Sequence, residues 1–344
     1  LTIIYSKSFY GLINLQTLNL SCNQISQLES DVFKELPSLT TLQLEYNYLK
    51  YLSGNTFDNL QWLQEINLEF NQIETIERYT FKNLNKLWKI SLNNNCLKLL
   101  EPIFYNLVAF RVLDVTSNQI LFIHNDTFKT FNTFKDIFIS KNQISVINSE
   151  TFKGASGLER LFINSNKIQK IDKNFTKNVA NLKQLDMSNN NLSLIEPNFF
   201  NNLANLEILD LNFCNIKEIN LSSLAKLKDL NLKNNFITFF SKNLSSLIEL
   251  RLTSNPLGNL TYPLINSQNS TLTTLGISYC QLKYIDFNVL RSFQNLKVLN
   301  IAGNPLTLSN ETFYGFKRLT KVHVKAEDFD RFRILYPNIT IDIS

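Results

Sequence analysis

The chain has 344 residues, of which 44% are apolar and 18% are charged, a composition typical of a globular protein with enough apolar residues for a core. Its net charge of +5 is small and scattered. The densest basic stretch, FKRLTKVHVK at residues 316–325, is typical of a solvated face, so no nucleic acid is expected as a partner. No stretch approaches the roughly 18 consecutive apolar residues that span a bilayer. A membrane is therefore expected to be reached only through a segment outside this chain.

A period of 24 residues organises the chain from its N-terminal end. LQTLNLSCNQI begins at Leu15, LTTLQLEYNYL at Leu39, LQEINLEFNQI at Leu63 and LWKISLNNNCL at Leu87. The pattern L-x-x-L-x-L-x-x-N-x-L then continues, and its asparagine defines what we call the ladder position. Later ladder positions are Asn118, Asn142, Asn166, Asn190, Cys214, Asn235, Asn255, Cys280 and Asn304. Thirteen matches to this pattern are the signature of leucine-rich repeats.

Each repeat is predicted to form one short strand with alternating side chains. In LTTLQLEYNYL, Leu42 and Leu44 point inward, whereas Gln43 and Glu45 point outward. One repeat cannot bury its apolar side alone, so repeats stack and their strands form a parallel sheet. The ladder asparagine is expected to be buried, with its amide pairing backbone groups of the turn after the strand. A phenylalanine recurs in the other half of most repeats as packing, at Phe33, Phe57, Phe81, Phe104, Phe128, Phe152, Phe200 and Phe313.

The predicted fold class is an α/β solenoid, a leucine-rich repeat horseshoe with a concave parallel sheet of about 14 to 15 short strands and an irregular convex side. We expect a single array over residues 1–344. Residues 215–280 are irregular, because the ladder spacing falls to 21 and 20 residues and then rises to 25. Residues 319–344 are expected to end the array with a helix and a strand. Leu1 and Phe9 match Ile25 and Phe33 one period later, which indicates a start in mid-repeat and a fragment of a longer chain.

The 24-residue unit with its fixed phenylalanine resembles the typical extracellular subclass of the leucine-rich repeat superfamily. Members include Toll-like receptor ectodomains, secreted invertebrate immune leucine-rich repeat proteins and chaoptin-type adhesion proteins. The resemblance implies an extracellular or cell-surface location and a protein ligand or co-receptor on the concave face, and it is compatible with homodimers or heterodimers. A receptor ectodomain or secreted innate-immune recognition protein is the favoured function. A cell-adhesion or matrix protein acting through like-with-like contacts is the alternative, which the repeat pattern does not separate from the first.

The cysteines and glycosylation sequons bear on the compartment. Cys214 and Cys280 are three repeats apart, as are Cys22 and Cys96, and about 14 Å is beyond the reach of a disulfide. We therefore predict no disulfide within the chain, and the paired cysteines that cap extracellular relatives are missing from this span. Candidate glycosylation sites are Asn19, Asn125, Asn174, Asn191, Asn220, Asn243, Asn259, Asn269, Asn310 and Asn338. Chance alone predicts about seven such sequons, so their number is compatible with secretion without demonstrating it.

Catalysis finds little support in the sequence. The two histidines, His124 and His323, are almost 200 residues apart. HExxH, GxSxG, P-loop and paired-cysteine patterns are all missing from the sequence. We therefore predict a protein that is not an enzyme and has no cofactor and no metal site.

Two phenylalanines interrupt a mostly polar column of outward strand residues. The column contains the third residue of each strand, and Phe138 and Phe162 occupy it on adjacent strands. They are expected to stand about 5 Å apart, exposed, with Asp136 and Arg160 beside them. Aromatic and arginine side chains dominate many interfaces, so we predict a partner-binding site here. The alternative is a cross-strand aromatic pair that only stabilises the sheet.

A second group of candidate binding residues lies closer to the N-terminal end. Glu45, Tyr46, Glu69 and Phe70, together with Glu65, combine acidic and aromatic side chains one repeat apart. We predict a second partner-binding patch, and the alternative is an ordinary solvated flank.

Overall fold

The computed structural model describes residues 1–104, 106–129, 133–266 and 270–343. The chain divides into two compact units, which we call unit 1 (Leu1–Leu182) and unit 2 (Lys183–Ser344). Each unit is described by itself below. None of the helices in these described ranges combines the length and the hydropathy that a membrane-spanning helix needs.

Unit 1 repeats one three-residue strand per period, and consecutive strands pair in parallel with their middle residues aligned, as in Leu42 with Ile66 and Leu113 with Ile137. These strands are Thr17–Asn19, Thr41–Gln43, Glu65–Asn67, Lys89–Ser91, Val112–Asp114, Asp136–Phe138 and Arg160–Phe162. Two-residue strands on the other side of the repeats pair as Ile3–Ile4 with Gln27–Leu28, Tyr51–Leu52 with Thr75–Ile76, Leu99–Leu100 with Phe122–Ile123, and Val146–Ile147 with Lys170–Ile171. One short helix, Phe175–Asn178, follows.

The core of unit 1 lies between these two layers. Inward residues such as Leu42 and Leu44 are fully buried. The recurring phenylalanines stack on one another, with ring centroids 6.1 Å apart for Phe33 and Phe57 and 5.7 Å for Phe57 and Phe81. Their predicted role as packing residues is confirmed.

The ladder asparagines tie each repeat to the one before it. The Asn47 side-chain amide donates to the carbonyl oxygens of Leu44 (3.1 Å) and of Leu20 in the preceding repeat (2.9 Å), and its Oδ1 accepts from the Ile25 N–H (2.9 Å). Asn71 repeats this arrangement one rung later. Each buried amide therefore pairs backbone groups of two turns, as predicted from the sequence.

The residue before every ladder position adopts a left-handed backbone conformation. These thirteen residues have φ between 50° and 64°: Cys22, Tyr46, Phe70, Asn94, Ser117, Lys141, Ser165, Asn189, Phe213, Asn234, Ser254, Tyr279 and Gly303. The conformation costs most residues about 1 kcal/mol and suits glycine and asparagine best. A tyrosine or phenylalanine at this position is therefore not there for the stability of the backbone.

Unit 2 contains eight strands that pair in parallel in chain order. They are Gln184–Asp186, Ile208–Asp210, Asp229–Asn231, Glu249–Arg251, Thr274–Gly276, Val298–Asn300, Lys321–Val324 and Thr340–Ile343. A 3-10 helix, Phe199–Asn202, and two α-helices, Phe287–Arg291 and Ala326–Leu335, lie between them. The described residues thus contain fifteen such strands in the two units, which agrees with the 14 to 15 predicted.

The irregular ladder spacing in unit 2 leaves strand pairing unchanged. Asp229 pairs with Glu249 and Glu249 with Thr274, so the three-residue strands stay in register across repeats of unequal length. Only isolated bridges, Lys242 with Ile265 and Leu260 with Ile285, form on the other side among the described residues. The differences in length are therefore absorbed away from the sheet. The expectation that residues 1–344 form a single array depends on how the two units join, so it stays a prediction.

Candidate functional site

The third residue of each strand forms the outward column on the solvent face of the sheet. In unit 1, Asn19, Asn67 and Asp114 each accept a hydrogen bond from the backbone N–H two residues later, at 2.9, 3.0 and 2.8 Å. In unit 2 the same bond is made by Asp186, Asp210, Asn231 and Asn300. Such a side-chain acceptor stabilises the turn after the strand. The Asn and Asp residues named here therefore have a local structural role.

Phe138 and Phe162 replace that acceptor with an aromatic ring. Their strands pair directly, and the ring centroids are 4.9 Å apart with an interplanar angle of 17°. The predicted adjacency is confirmed. The prediction that both rings are exposed is wrong, because each is half-buried. Stacking covers one face of each ring, and the outer edges remain in solvent.

An ion pair adjoins the two rings. Arg160 Nη2 donates to Asp136 Oδ2 at 2.7 Å, and Arg160 Nε donates to Asp136 Oδ1. The hydrogen bond to Asp136 raises the pKa of Arg160. Only 8% of Asp136 is exposed, whereas half of the Arg160 side chain is in solvent. The buried carboxylate fixes the plane of the guanidinium beside the rings. We call Phe138, Phe162, Asp136 and Arg160 the aromatic site.

The second predicted group lies just beyond the C-terminal ends of its strands. Tyr46 and Phe70 are 52% and 39% exposed, and their rings are nearly parallel with centroids 4.4 Å apart. Glu45 and Glu69 are half-buried, and Glu45 Oε2 accepts no hydrogen bond from a described residue. We call Glu45, Tyr46, Glu69 and Phe70 the acidic edge.

The structure does not bring these two groups into one cluster. Three strand steps separate Glu65–Asn67 from Asp136–Phe138, or about 14 Å at the usual strand spacing. Both groups belong to unit 1. A partner with an ordinary interface of about 800 Å² per side is large enough to contact both.

The glycosylation candidates avoid most of the sheet. Asn19 is the one described candidate that lies on a strand of the sheet. Asn125, Asn174, Asn191, Asn220, Asn243, Asn259, Asn310 and Asn338 lie outside the strands. Asn269 lies outside the described residues. From the second strand onward, the described sheet face therefore has no sequon.

The thiols of unit 2 are buried as ladder residues. Cys214 Sγ donates to the Met187 carbonyl oxygen at 3.3 Å, and Cys280 Sγ donates to that of Leu252 at 3.2 Å. Burial raises the pKa of Cys214 to about 12 and that of Cys280 to about 11. Cys22 is exposed and Cys96 is half-buried, and all four cysteines are free. The described residues contain no group of three His, Cys, Asp or Glu side chains arranged to hold a metal ion.

Sequence reasoning missed a surface beside the strands. Trp62, Lys86, Trp88 and Arg111 gather on the flank where the chain enters the sheet of unit 1. A comparison of residues one period apart would have found them, because Trp62 corresponds to Lys86 and Trp88 to Arg111. These residues precede the strands, outside the outward column and the turn after it.

Family models identify the repeats. The model described as "Leucine rich repeat" matches residues 1–49, 13–73, 38–97, 61–120, 108–168 and 156–216, which cover more than half of the chain. A second model, "BspA type Leucine rich repeat region (6 copies)", matches residues 242–332. The chain belongs to the leucine-rich repeat family. No curated protein sequence matches it significantly.

Solved structures share the fold. The TLR13–ssRNA13 complex has a TM-score of 0.80 at 23% identity and covers 99% of this chain and 56% of that one. A leucine-rich repeat protein of Leptospira interrogans has a TM-score of 0.73 at 22% identity, over 98% of this chain and 86% of that one. Toll, in the Drosophila Toll–Spatzle complex, has a TM-score of 0.69 at 20% identity, over 100% of this chain and 44% of that one. The chain thus spans about half the length of the two receptors, and the predicted solenoid fold class is confirmed.

Proposed function

We propose that this leucine-rich repeat protein is a non-enzymatic, extracellular recognition scaffold, either a receptor ectodomain or a secreted innate-immune protein. It binds a protein partner through the solvent face of the unit 1 sheet, at the aromatic site. One observation supports this site above the rest of the face. Phe138 and Phe162 occupy positions where seven other repeats have an Asn or Asp whose side chain accepts a hydrogen bond from the turn.

The chemistry of the aromatic site suits a protein partner. Aromatic and arginine side chains supply most of the binding energy in many interfaces, above all where they are rigid. The stacked rings hold each other, and Asp136 holds Arg160, so little side-chain entropy is lost on binding. The sheet face beyond Asn19 has no described sequon, which leaves it open to a large partner. The acidic edge supplies a second contact with the same partner.

Similar proteins support recognition as a function. TLR13 was solved with an RNA and Toll with the protein Spatzle. For this chain a protein is the better candidate, because its net charge is only +5 and neither the aromatic site nor the acidic edge adds an excess of cations. The adhesion or matrix alternative differs in one respect: the partner would be a second copy of the chain.

A site-specific photo-cross-linker separates these functions. Benzoylphenylalanine placed at Phe162 should cross-link one distinct protein in extracellular fluid or at the cell surface of the source organism. The matched control places it at Leu194, which is 85% exposed. Mass spectrometry of the product should identify a different protein for recognition, or the same chain for like-with-like adhesion. The same products from both positions would contradict a binding site on the sheet face.

The extracellular location has its own test. Protein secreted by the native cells should shift to lower mass after treatment with an amidase that removes N-linked glycans, with sites among the exposed sequons such as Asn191 and Asn259. Unmodified asparagine at every sequon would contradict passage through the secretory pathway of a eukaryotic cell.

A further inference from the structure

Both tryptophans of the chain lie on one flank of unit 1. Trp88 and Arg111 directly precede their strands, and Trp62 and Lys86 lie two residues before the corresponding positions. The backbone N–H of Trp88 donates to the Gln64 carbonyl oxygen, and the backbone N–H of Arg111 donates to the Trp88 carbonyl oxygen, each at 2.9 Å. Because these backbone hydrogen bonds hold the flank residues at the interstrand distance of the sheet, corresponding residues of adjacent repeats lie about 4.8 Å apart. We call Trp62, Lys86, Trp88 and Arg111 the tryptophan flank.

Two shallow hollows meet on this flank. One, of about 480 Å³, is lined by Gln64, Lys86, Trp88, Ala109 and Arg111. The other, of about 420 Å³, is lined by Gln61, Trp62, Asn83, Asn85 and Lys86. Lys86 belongs to both hollows, and its Nζ lies 5.8 Å from the centroid of the Trp62 ring. Neither hollow is lined by an acidic residue, so the positive charge is not balanced locally.

The cations of the tryptophan flank differ in their pairing from some nearby lysines. Among the described residues, neither Lys86 nor Arg111 makes an ion pair. One repeat further along, Lys135 Nζ lies 2.6 Å from Glu159 Oε1. Four residues before Lys86, Lys82 Nζ lies 3.5 Å from Asp58 Oδ2. Trp62 is 57% exposed, so its ring is not part of the core. An exposed indole ring (Trp62), a half-buried one (Trp88) and two cations without an ion pair therefore occur together on this flank.

We propose that the tryptophan flank binds an acidic segment of a partner protein, in which Asp or Glu residues alternate with large apolar residues. The carboxylates pair with Lys86 and Arg111, and the apolar side chains pack against the indoles in the two hollows. A single-stranded nucleic acid fits less well, because two cations neutralise too few phosphates to hold a backbone. This surface is separate from the aromatic site, so the proposal does not depend on the proposed function.

Tryptophan fluorescence provides a direct readout, because the flank contains both tryptophans of the chain. The probes are short synthetic peptides of equal length: one alternating Glu and Leu, one alternating Glu and Gly, and one alternating Lys and Leu. The Glu–Leu peptide should change the emission and bind more tightly than the other two. Its affinity should fall about tenfold or more in Lys86→Glu/Arg111→Glu, and it should weaken as salt rises.

The matched control is Lys50→Glu/Lys98→Glu, which makes the same change in net charge at two exposed lysines three residues after ladder positions. It should keep the affinity of the original chain, as should Phe162→Asn in the aromatic site. If thermal unfolding shows that Lys86→Glu/Arg111→Glu does not fold, the charge-neutral variant Lys86→Gln/Arg111→Gln takes its place. Unchanged affinity in the flank variant, equal binding of the Lys–Leu peptide, or tighter binding of an oligouridylate or a neutral oligosaccharide would overturn the proposal.

Discussion

Asp186 and Asp210 in unit 2 and Phe138 and Phe162 in unit 1 occupy the same position in their repeats, at the third residue of a three-residue strand. Each aspartate accepts a hydrogen bond from the backbone N–H two residues later, at 2.9 Å. Burial raises the pKa of Asp186, so even this polar stretch is closely packed. The phenylalanines give up the acceptor and stack instead. In unit 2 this stretch of the outward column supports its own backbone, whereas in unit 1 it offers rings to solvent.

The cysteines also differ between the units: those of unit 2 are buried, whereas Cys22 in unit 1 is exposed. This difference in thiol reactivity is the largest effect that we expect. At pH 8, Cys214 and Cys280 should react with a thiol reagent about a hundredfold or more slowly than the exposed Cys22, because their raised pKa leaves almost no thiolate. After unfolding, all four should react. Rapid reaction of more than two thiols in the folded protein, or fewer than four thiols after unfolding without a covalent partner, would contradict the repeat register.

The raised pKa values also make stability depend on pH. The folded state favours the protonated thiols, so their contribution is fully present below the ordinary cysteine pKa of about 8.5. It is lost as the pH rises from there toward 11 and 12, the folded values of Cys280 and Cys214. Denaturant titrations from pH 8 to pH 10 should show this loss. The matched variant Cys214→Ala/Cys280→Ala should lose less stability over the same range.

The difference between the outward columns is tested most directly by giving unit 1 the polar residues that unit 2 has at this position. In Phe138→Asn/Phe162→Asn, the new side chains can accept from the turn, so stability should stay within about 1 kcal/mol. Affinity for the partner identified by cross-linking should fall about a hundredfold, as for loss of a central interface contact. Gln43→Asn, in the same column, is the control; it should not lower the stability, because the new side chain can accept from the turn, and it should leave the affinity unchanged. A loss of several kcal/mol in stability with unchanged affinity would make the pair structural.

The ladder, rather than the outward column, should supply the stability that both units share. Asn142→Ala removes an amide that donates to the carbonyl oxygens of Val115 (3.0 Å) and Ile139 (3.1 Å) and accepts from the Ile120 N–H (2.9 Å). We expect a loss of about 1 to 3 kcal/mol in the free energy of unfolding, measured by denaturant titration. Asn85→Ala, at an exposed position, should stay within about 0.5 kcal/mol. Equal effects of the two substitutions would refute the role of the ladder.

The ion pair of the aromatic site should matter more to stability than the exposed pair beside it. Asp136→Asn removes a buried partner of Arg160 and should cost about 1 to 2 kcal/mol. Glu159→Gln breaks the neighbouring pair with Lys135, whose side chain is half exposed, and should cost less than about 0.5 kcal/mol. Chemical denaturation of both variants measures the difference. The reverse order would mean that Asp136 does not hold Arg160 in place.

The smallest expected effect concerns the left-handed turns. Lys141 has φ of 54°, and Lys141→Asn should gain about 0.5 kcal/mol because asparagine adopts this conformation more readily. The control is Lys167→Asn, at an exposed position without positive φ, which should have an effect near zero. If both variants behave alike, the aromatic residues at the equivalent positions, Tyr46 and Phe70, impose no strain on the backbone.

The sequence predicts the parts of this structure that follow from its period. Strand positions, the ladder bonds and the stacking of Phe138 on Phe162 all depend on residues one repeat apart meeting on adjacent strands. The solvent exposure of those two rings could not be predicted from the period, because it depends on how much of each ring the other one covers. The left-handed turn before Asn142 was also missed, since serine, lysine and aromatic residues occupy it with no common side-chain property. Trp62 and Trp88 did not stand out because they precede the strands, outside the repeat pattern that defines strand and ladder positions.

Strand pairing in unit 2 stays in register while the ladder spacing varies from 20 to 25 residues. Gains and losses of residues during evolution can therefore be retained on the far side of a repeat without shifting any outward residue from its place. Selection can then act on the outward column one residue at a time, independently of loop length. The same property makes the far side, as at Gly258, a suitable place to insert a label or an affinity tag without altering the proposed recognition surface.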